Sequence, residues 1–184
     1  MTHIVGSISW NSNNWTASLT DEDRRWSSFK SIRAGYFGNE SWNFALAENV
    51  IDGYKYGSFE NAHRARRFVS RRDIIFFFSR GPHGGVFVGL YAKAGLLTER
   101  VQFAEGGPEF NLRVPTEPGY LICPFEHYLL ADPKRHFREG SHVKKGPGQI
   151  CFCYIDHGSA KLIVNDALLG GNSNVAPVKE IFGF

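Results

Sequence analysis

The sequence predicts a single α+β domain over residues 1–184: a small, β-rich barrel with helices at its periphery. Three observations predict it. Of 184 residues, 42% are hydrophobic and 21% charged, which is enough to bury one core of ordinary domain size. Short apolar runs rich in β-branched and aromatic residues, separated by Gly/Pro turns, outnumber stretches of helical periodicity. No internal repeat, low-complexity tract or linker divides the chain.

Composition also removes several classes. No apolar run reaches the roughly 18 residues a membrane helix needs, so no membrane partner is expected. The opening MTHIVGSISW has neither a basic start nor a long apolar stretch, so no secretory signal is read. Cys123, Cys151 and Cys153 make an odd number of thiols, which favours a reducing, cytoplasmic setting over a disulfide framework. The net charge of +3 is too small for a wholly basic protein but compatible with a local phosphate-binding face.

Taken in order, His3 to Trp10 reads as a strand that runs into the polar loop Asn11-Ser12-Asn13-Asn14-Trp15. Thr20-Asp21-Glu22-Asp23 reads as a helix N-terminus. Thr20 is the cap, Asp23 sits at the capping-box offset, and the acids suit the positive end of the dipole. Trp26, Phe29 and Ile32 follow as its inner stripe, with Gly35 as a stop. Trp42 to Leu46 is expected to be a strand and Glu60 to Phe68 a short helix. Asp73 to Tyr91 is the strongest pattern: two apolar runs around Pro82-His83-Gly84-Gly85 predict a β-hairpin, apolar on both faces and therefore central in a covered sheet. Further strands are expected at Tyr120–Cys123, Gln149–Tyr154 and, more weakly marked, Lys161–Val164, with turns at 106–108 and 146–148.

Enzyme motifs are missing. The Gly81–Gly85 segment has no Walker Lys-Ser/Thr pair, and no His-Glu-x-x-His occurs. Cys151 and Cys153 share a strand face, with His127 and His157 as the nearest candidates for additional ligands, but structural zinc uses wider Cys spacing, so two core thiols are the better reading. Cys123 with His127 lacks an orienting Asn or Asp. No catalysis, metal or cofactor is expected of this segment.

What stands out is aromatic and basic density: 4 Trp, 7 Tyr and 16 Phe. Most Phe must be core. A Trp carried by an amide-rich loop is different, because indoles sandwich an extruded base while amides bond its Watson–Crick edge. Trp15 beside Asn11 and Asn14, and Trp42 beside Asn43, fit that description, and Trp10 closes the preceding strand. Trp26 is expected in the core. Arg64, Arg66, Arg67, Arg71 and Arg72 crowd nine residues, and Lys134, Arg135, Arg138, Lys144 and Lys145 form a second basic set. Such clusters hold phosphates without reading sequence, although either alone is equally a solvated face.

The layout resembles a known family. A strand ending in Ser-aromatic, a polar loop, a helix, a Trp-bearing strand and then DIIFFFSRGPHGGVFVGLY, with its Phe-x-Gly-aliphatic second strand, is similar to YTH and EVE members of the PUA-like superfamily over about the first 100 residues. The resemblance implies a small PUA-like barrel that flips a modified base into an aromatic cage. N6-methyladenine in DNA is the first expectation, with 5-methylcytosine or an RNA substrate as alternatives. It implies Trp42 as the first cage Trp and the Ser9–Asn14 segment as the loop bonding the base edge. YTH domains carry further cage aromatics after the Phe-x-Gly strand, where this sequence offers no Trp, only Phe103 and Phe110. Prokaryotic relatives serve as the N-terminal specificity domain of McrB-type modification-dependent restriction proteins. With Met1 at the start and no GTPase motif before Phe184, the chain is expected to be such a domain, its restriction-complex partners supplying nucleotide hydrolysis and cleavage. A protein- or small-molecule-binding barrel is the rival of a different class, and salt dependence separates the two.

Overall fold

The computed structural model describes residues 2–27, 39–45, 50–59, 61–62, 65, 73–82, 84–103, 105, 108–116, 121–137 and 152–184; at 39, 42, 73, 98 and 121 it describes the backbone alone. The expected helix over Glu60–Phe68 falls almost wholly outside these residues. So do the turns at 106–107 and 146–148, Cys151, and every arginine of the first basic run.

One eight-stranded sheet dominates the fold. Its strands are β1 (Thr2–Ile8), β2 (Val50–Ile51), β3 (Tyr54–Gly57), β4 (Asp73–Gly81), β5 (Gly84–Gln102), β6 (Glu109–Pro115), β7 (Leu121–Leu130) and β8 (Phe152–Asp156). They lie in the order β2-β3-β6-β5-β4-β1-β8, with β7 on the other edge of β5. The helices are α1 (Asp21–Trp26), α2 (Pro133–His136), α3 (His157–Leu169) and α4 (Ala176–Phe182). The fold is therefore α+β and sheet-dominated. Among the described residues no strand pairing closes that sheet into a barrel.

The predicted hairpin is its centre. Gly81 pairs with Gly84 across a two-residue turn, and β4 runs antiparallel to β5 and parallel to β1. Alternation sends Ile74, Phe76 and Phe78 to one face and Ile75 and Phe77 to the other. Both faces are covered, which explains why the run carries no polar alternation. On one face α3 and α4 add Ala160, Ile163, Val164, Ala167 and Val178; on the other lie Trp10, Trp15, Phe44, Phe59, Leu112 and Val114.

A straight strand of 19 residues would extend about 60 Å, longer than a domain of this size accommodates. Two bulges bend β5 instead: Val88 is extra opposite Phe77/Phe78, and Lys93, with φ +57°, is extra opposite Asp73/Ile74. Its first half therefore pairs with β4 and β7, and its second half with β6. At the first bulge a Cβ on Gly89 would lie 2.4 Å from Phe44 Cζ and 2.6 Å from the Cys123 carbonyl, so only glycine admits that ring and β7 together. Pro124 sits opposite Gly89, where an edge strand tolerates a missing donor.

Three local expectations are corrected. The described part of the expected Trp42–Leu46 strand, residues 42–45, is not a strand: Asn39–Trp42 is a 3-10 turn, and Asn43 satisfies the Ser58 backbone through its side chain rather than through a ladder. Lys161–Val164 is helical. Asp156 caps α3 by accepting from Ser159 N at 2.6 Å, Gly170 ends it, and Ala160, Ile163, Val164 and Ala167 bury one helical face. Trp26 is 44% exposed instead of core. The capping box of α1 forms as read, but its inward face is Asp23 and Ser27, one turn apart and both hydrogen-bonded inward, which turns Trp26 out. Phe29 and Ile32 lie outside the described residues.

At the other end of β1 a histidine is buried in its neutral form. His3 Nδ1 accepts from Ile74 N at 3.1 Å, so Nε2 carries the proton toward His157 Nδ1, 3.3 Å away. Phe182 and Phe184 pack edge-on against the ring. Burial first, then the His157 and N-terminal charges, lower its pKa from 6.5 to about 4, against a smaller opposing pull from Asp156. The unfolded chain binds the proton more readily between those values, so this contribution is complete above pH 6.5 and is lost as pH falls toward about 4. Denaturant titrations at stepped pH are expected to show a loss of at most about 3 kcal/mol across that window. The slope should be reduced in His3→Gln; equal slopes in both proteins would contradict the assignment. The hydrogen bond from Arg135 holds the Asp166 carboxyl below the ordinary carboxylate range.

Candidate nucleic-acid interface

The polar loop after β1 is a built structure. Asn11 is fully buried, its amide donating to Ala17 O at 2.8 Å and its carbonyl accepting from Asn13 N at 2.8 Å. The buried Asp23 carboxylate ties α1 to the loop by accepting from Ser12 N (3.0 Å), Ser12 Oγ (3.2 Å) and Thr20 N (3.0 Å). Asn14 and Trp15 then take successive left-handed conformations, φ +55° and +56°. Asn tolerates that region and Trp rarely enters it, at a cost of about 1–3 kcal/mol. Tertiary bonds hold it: Trp15 Nε1 donates to Ser9 O at 2.9 Å, and Phe44 N donates to Trp15 O at 3.0 Å.

Rings form the floor. Trp15 meets Trp10, Tyr128 and Phe44 edge-to-face, with centroids at 5.7, 6.0 and 6.5 Å, and Trp10 meets Tyr128 at 5.5 Å. Trp10 lies on Gly81, where a Cβ would come within 2.3 Å of the indole. Trp15 is 1% exposed. It is a wall of this cluster, and the expectation that it stacks on a base is corrected: its ring is enclosed and its N–H is occupied. Asn11 and Asn43 are corrected for the same reason. Asn43 is fully buried, its carboxamide paired at 2.8 Å with both Ser58 N and Ser58 O, while its own carbonyl accepts from Tyr91 OH.

Asn14 keeps an accessible amide. It is exposed, its carbonyl oxygen accepts from Tyr128 OH, and its NH2 group meets no partner among the described residues. Tyr128 is half-buried, and burial, then the Asp23 charge, push its phenol up, so it stays a donor. Sequence reasoning missed Tyr128. Alternation along β7 puts Ile122 and Tyr128 on one face and Cys123, Phe125 and Leu129 on the other, but nothing local says which face meets the loop.

The 3-10 turn is joined to the same loop. Ser9 N donates to Glu40 Oε1 at 3.4 Å, and Phe44 N to Trp15 O, so the backbone of Trp42 is pinned between two bonds to the loop. The side chain of Trp42 lies outside the described residues. Phe103 is elsewhere: it follows the far end of β5, beside Tyr56 at 4.9 Å and Phe110 at 5.6 Å, and does not join Trp10 and Trp15.

Of the phosphate-contact candidates, Arg64, Arg66, Arg67, Arg71 and Arg72 lie outside the described residues, as do Arg138, Lys144 and Lys145. Arg135 is corrected: its guanidinium forms a fork with Asp166 at 2.5 and 2.6 Å, and Asp166 also accepts from His136 Nε2 at 3.0 Å. Lys134 is exposed and makes no ion pair among the described residues.

The two described thiols are buried and held protonated. Cys123 is buried with Sγ 3.2 Å from Asn174 O, and burial pushes both Cys123 and Cys153 up to about 12. Among the described residues no three His, Cys, Asp or Glu side chains group as metal ligands, and no helix is long and apolar enough to cross a membrane. Comparison with protein-family models, curated proteins and solved structures finds no match to this chain.

Proposed function

We propose that this chain is a PUA-like, YTH/EVE-type reader of a modified base, binding N6-methyladenine in DNA by flipping it against the loop after β1. One observation supports the reading: on either side of Trp42 the chain is hydrogen-bonded to the Asn loop, through Glu40 to Ser9 and through Phe44 to Trp15, and that loop carries the exposed, donor-bearing amide of Asn14. Stacking and Watson–Crick-edge readout of an extruded base require an indole and a fixed amide, and the segment bearing Trp42 and the loop bearing Asn14 are tied together through their backbones. Consecutive left-handed residues in that loop support it as well, since backbone strain collects at binding sites. Trp42 stacks, Asn14 bonds the base edge, and Trp10, Trp15 and Tyr128 form the rigid floor beneath them. Lys134 and the arginines of residues 64–72 are the backbone contacts. Nucleotide hydrolysis and cleavage belong to other domains or subunits of a McrB-type restriction system.

The test is a panel of duplexes differing in one base modification. Parent protein is expected to prefer the methylated duplex, and Trp42→Ala to lose about 1–3 kcal/mol of that preference. Affinity should fall steeply with salt in both proteins. Equal discrimination by parent and variant removes the stacking role. A preference for methylated RNA over DNA moves the substrate class, and salt-independent binding removes the nucleic-acid reading altogether.

A further inference from the structure

A second surface, at the opposite end of β5 from the Asn loop, follows from the pleat of β3 and β6. Lys55, Gly57, Leu112 and Val114 are buried beneath these strands, so Tyr54, Tyr56 and Arg113 project from the other side. An outward antiparallel face is ordinarily polar. This one presents rings.

Tyr56 and Arg113 are partners in register, Phe103 stands edge-on to Tyr56 at 4.9 Å, and Phe103 rests on buried Phe110. Phe103 is 39% exposed despite that support. The guanidinium of Arg113 lies 4.8 Å over the Tyr54 ring and has no carboxylate partner among the described residues. Glu109, in register with Gln102 beside Phe103, is already paired with Arg100 at 2.6 Å. The surface therefore offers rings and one cation that stacks on Tyr54 and has no carboxylate partner among the described residues.

We infer that Tyr54, Tyr56, Phe103 and Arg113 form a stacking platform for single-stranded nucleic acid. A planar, repeating, anionic ligand meets each feature: bases stack on the rings irrespective of sequence, and the backbone charge meets Arg113. This site is separate from the flipped-base pocket and does not rest on it.

The experiment uses the full chain and a labelled thymidine strand of about 12 nucleotides, read by fluorescence anisotropy at about 50 mM salt, with the same strand carrying a photoreactive base for crosslinking. Parent protein is expected to bind it, and Phe103→Ala to weaken binding about five- to hundred-fold, as the loss of one stacking partner does. Crosslinks should map to Tyr54, Tyr56 or Phe103 in the unsubstituted chain, a readout independent of any variant's folding. The thymidine strand carries no modified base, so its mapped crosslinks report the platform while the duplex panel reports the base reader, and the two fail independently. Crosslinks confined to other segments, undiminished binding by a folded Phe103→Ala protein, or self-association dissolved by that substitution would each overturn the platform.

Discussion

Trp15→Ala is expected to lower the unfolding free energy by about 3–5 kcal/mol, the usual range for emptying a buried Trp site. The residue is 1% exposed and touches Trp10, Phe44 and Tyr128, so its removal leaves a void lined by three rings that cannot all close inward. Two further losses add to the void. Ser9 O loses the indole donor, and the left-handed residue at 15 no longer has packing to offset its strain. Trp15→Phe refills part of the volume but not the donor, and should cost less. Equilibrium denaturation in urea checks both. A Trp15→Ala protein as stable as its parent, with base preference abolished, would restore Trp15 to the binding face.

Asn43→Ala is expected to cost about 3 kcal/mol by the same measurement, because it leaves Ser58 N and Ser58 O without partners in a buried setting. The bracket between residues 43 and 58 stands in for a strand pair and fixes the segment after Trp42 to the residue that follows β3. Neither carboxamide atom is free for a base. Any loss of binding in this variant should therefore follow its loss of folded protein, and disappear when affinity is measured on the folded fraction. A stable Asn43→Ala protein with lost selectivity would return Asn43 to the base edge.

These two residues show why loop-borne Trp and Asn are ambiguous in a sequence. An amide-rich loop that reads a base and one that braces itself have the same composition. Asn11 braces the loop through Ala17 and Asn13, Asn43 through Ser58 fifteen positions away, and Asn14 engages only its carbonyl, with Tyr128, so its amide stays available. The residues proposed to read the base, Asn14 and Trp42, would need that bracing, since a reader must hold its groups rigidly where the base arrives.

Local chemistry was legible wherever a signal and its partner lie within a turn or a hairpin. The Thr20–Asp23 capping box, the Gly81–Gly84 turn and the two-faced apolar β4 all form as their residues imply. The α3 helix was legible too, through Asp156, Gly170 and the spacing of Ala160, Ile163, Val164 and Ala167, but the β-branched Ile163-Val164 pair drew the reading toward a strand. Tertiary context overrode propensity there, because a helix buries those residues on the hydrophobic sheet face.

By itself the sequence determined the fold class, the central hairpin, the helix caps and the neighbourhood of the polar loop, because each is set by residues a few positions apart. Only the tertiary structure decided which rings are enclosed and which face outward. It closed Trp15 beneath Tyr128, turned Trp26 to solvent by drawing Asp23 and Ser27 inward, and carried Phe103 along a twice-bent β5 to Tyr56. Exposure of a ring depends on what packs against it, and those partners come from strands as much as 113 positions away, as between Trp15 and Tyr128.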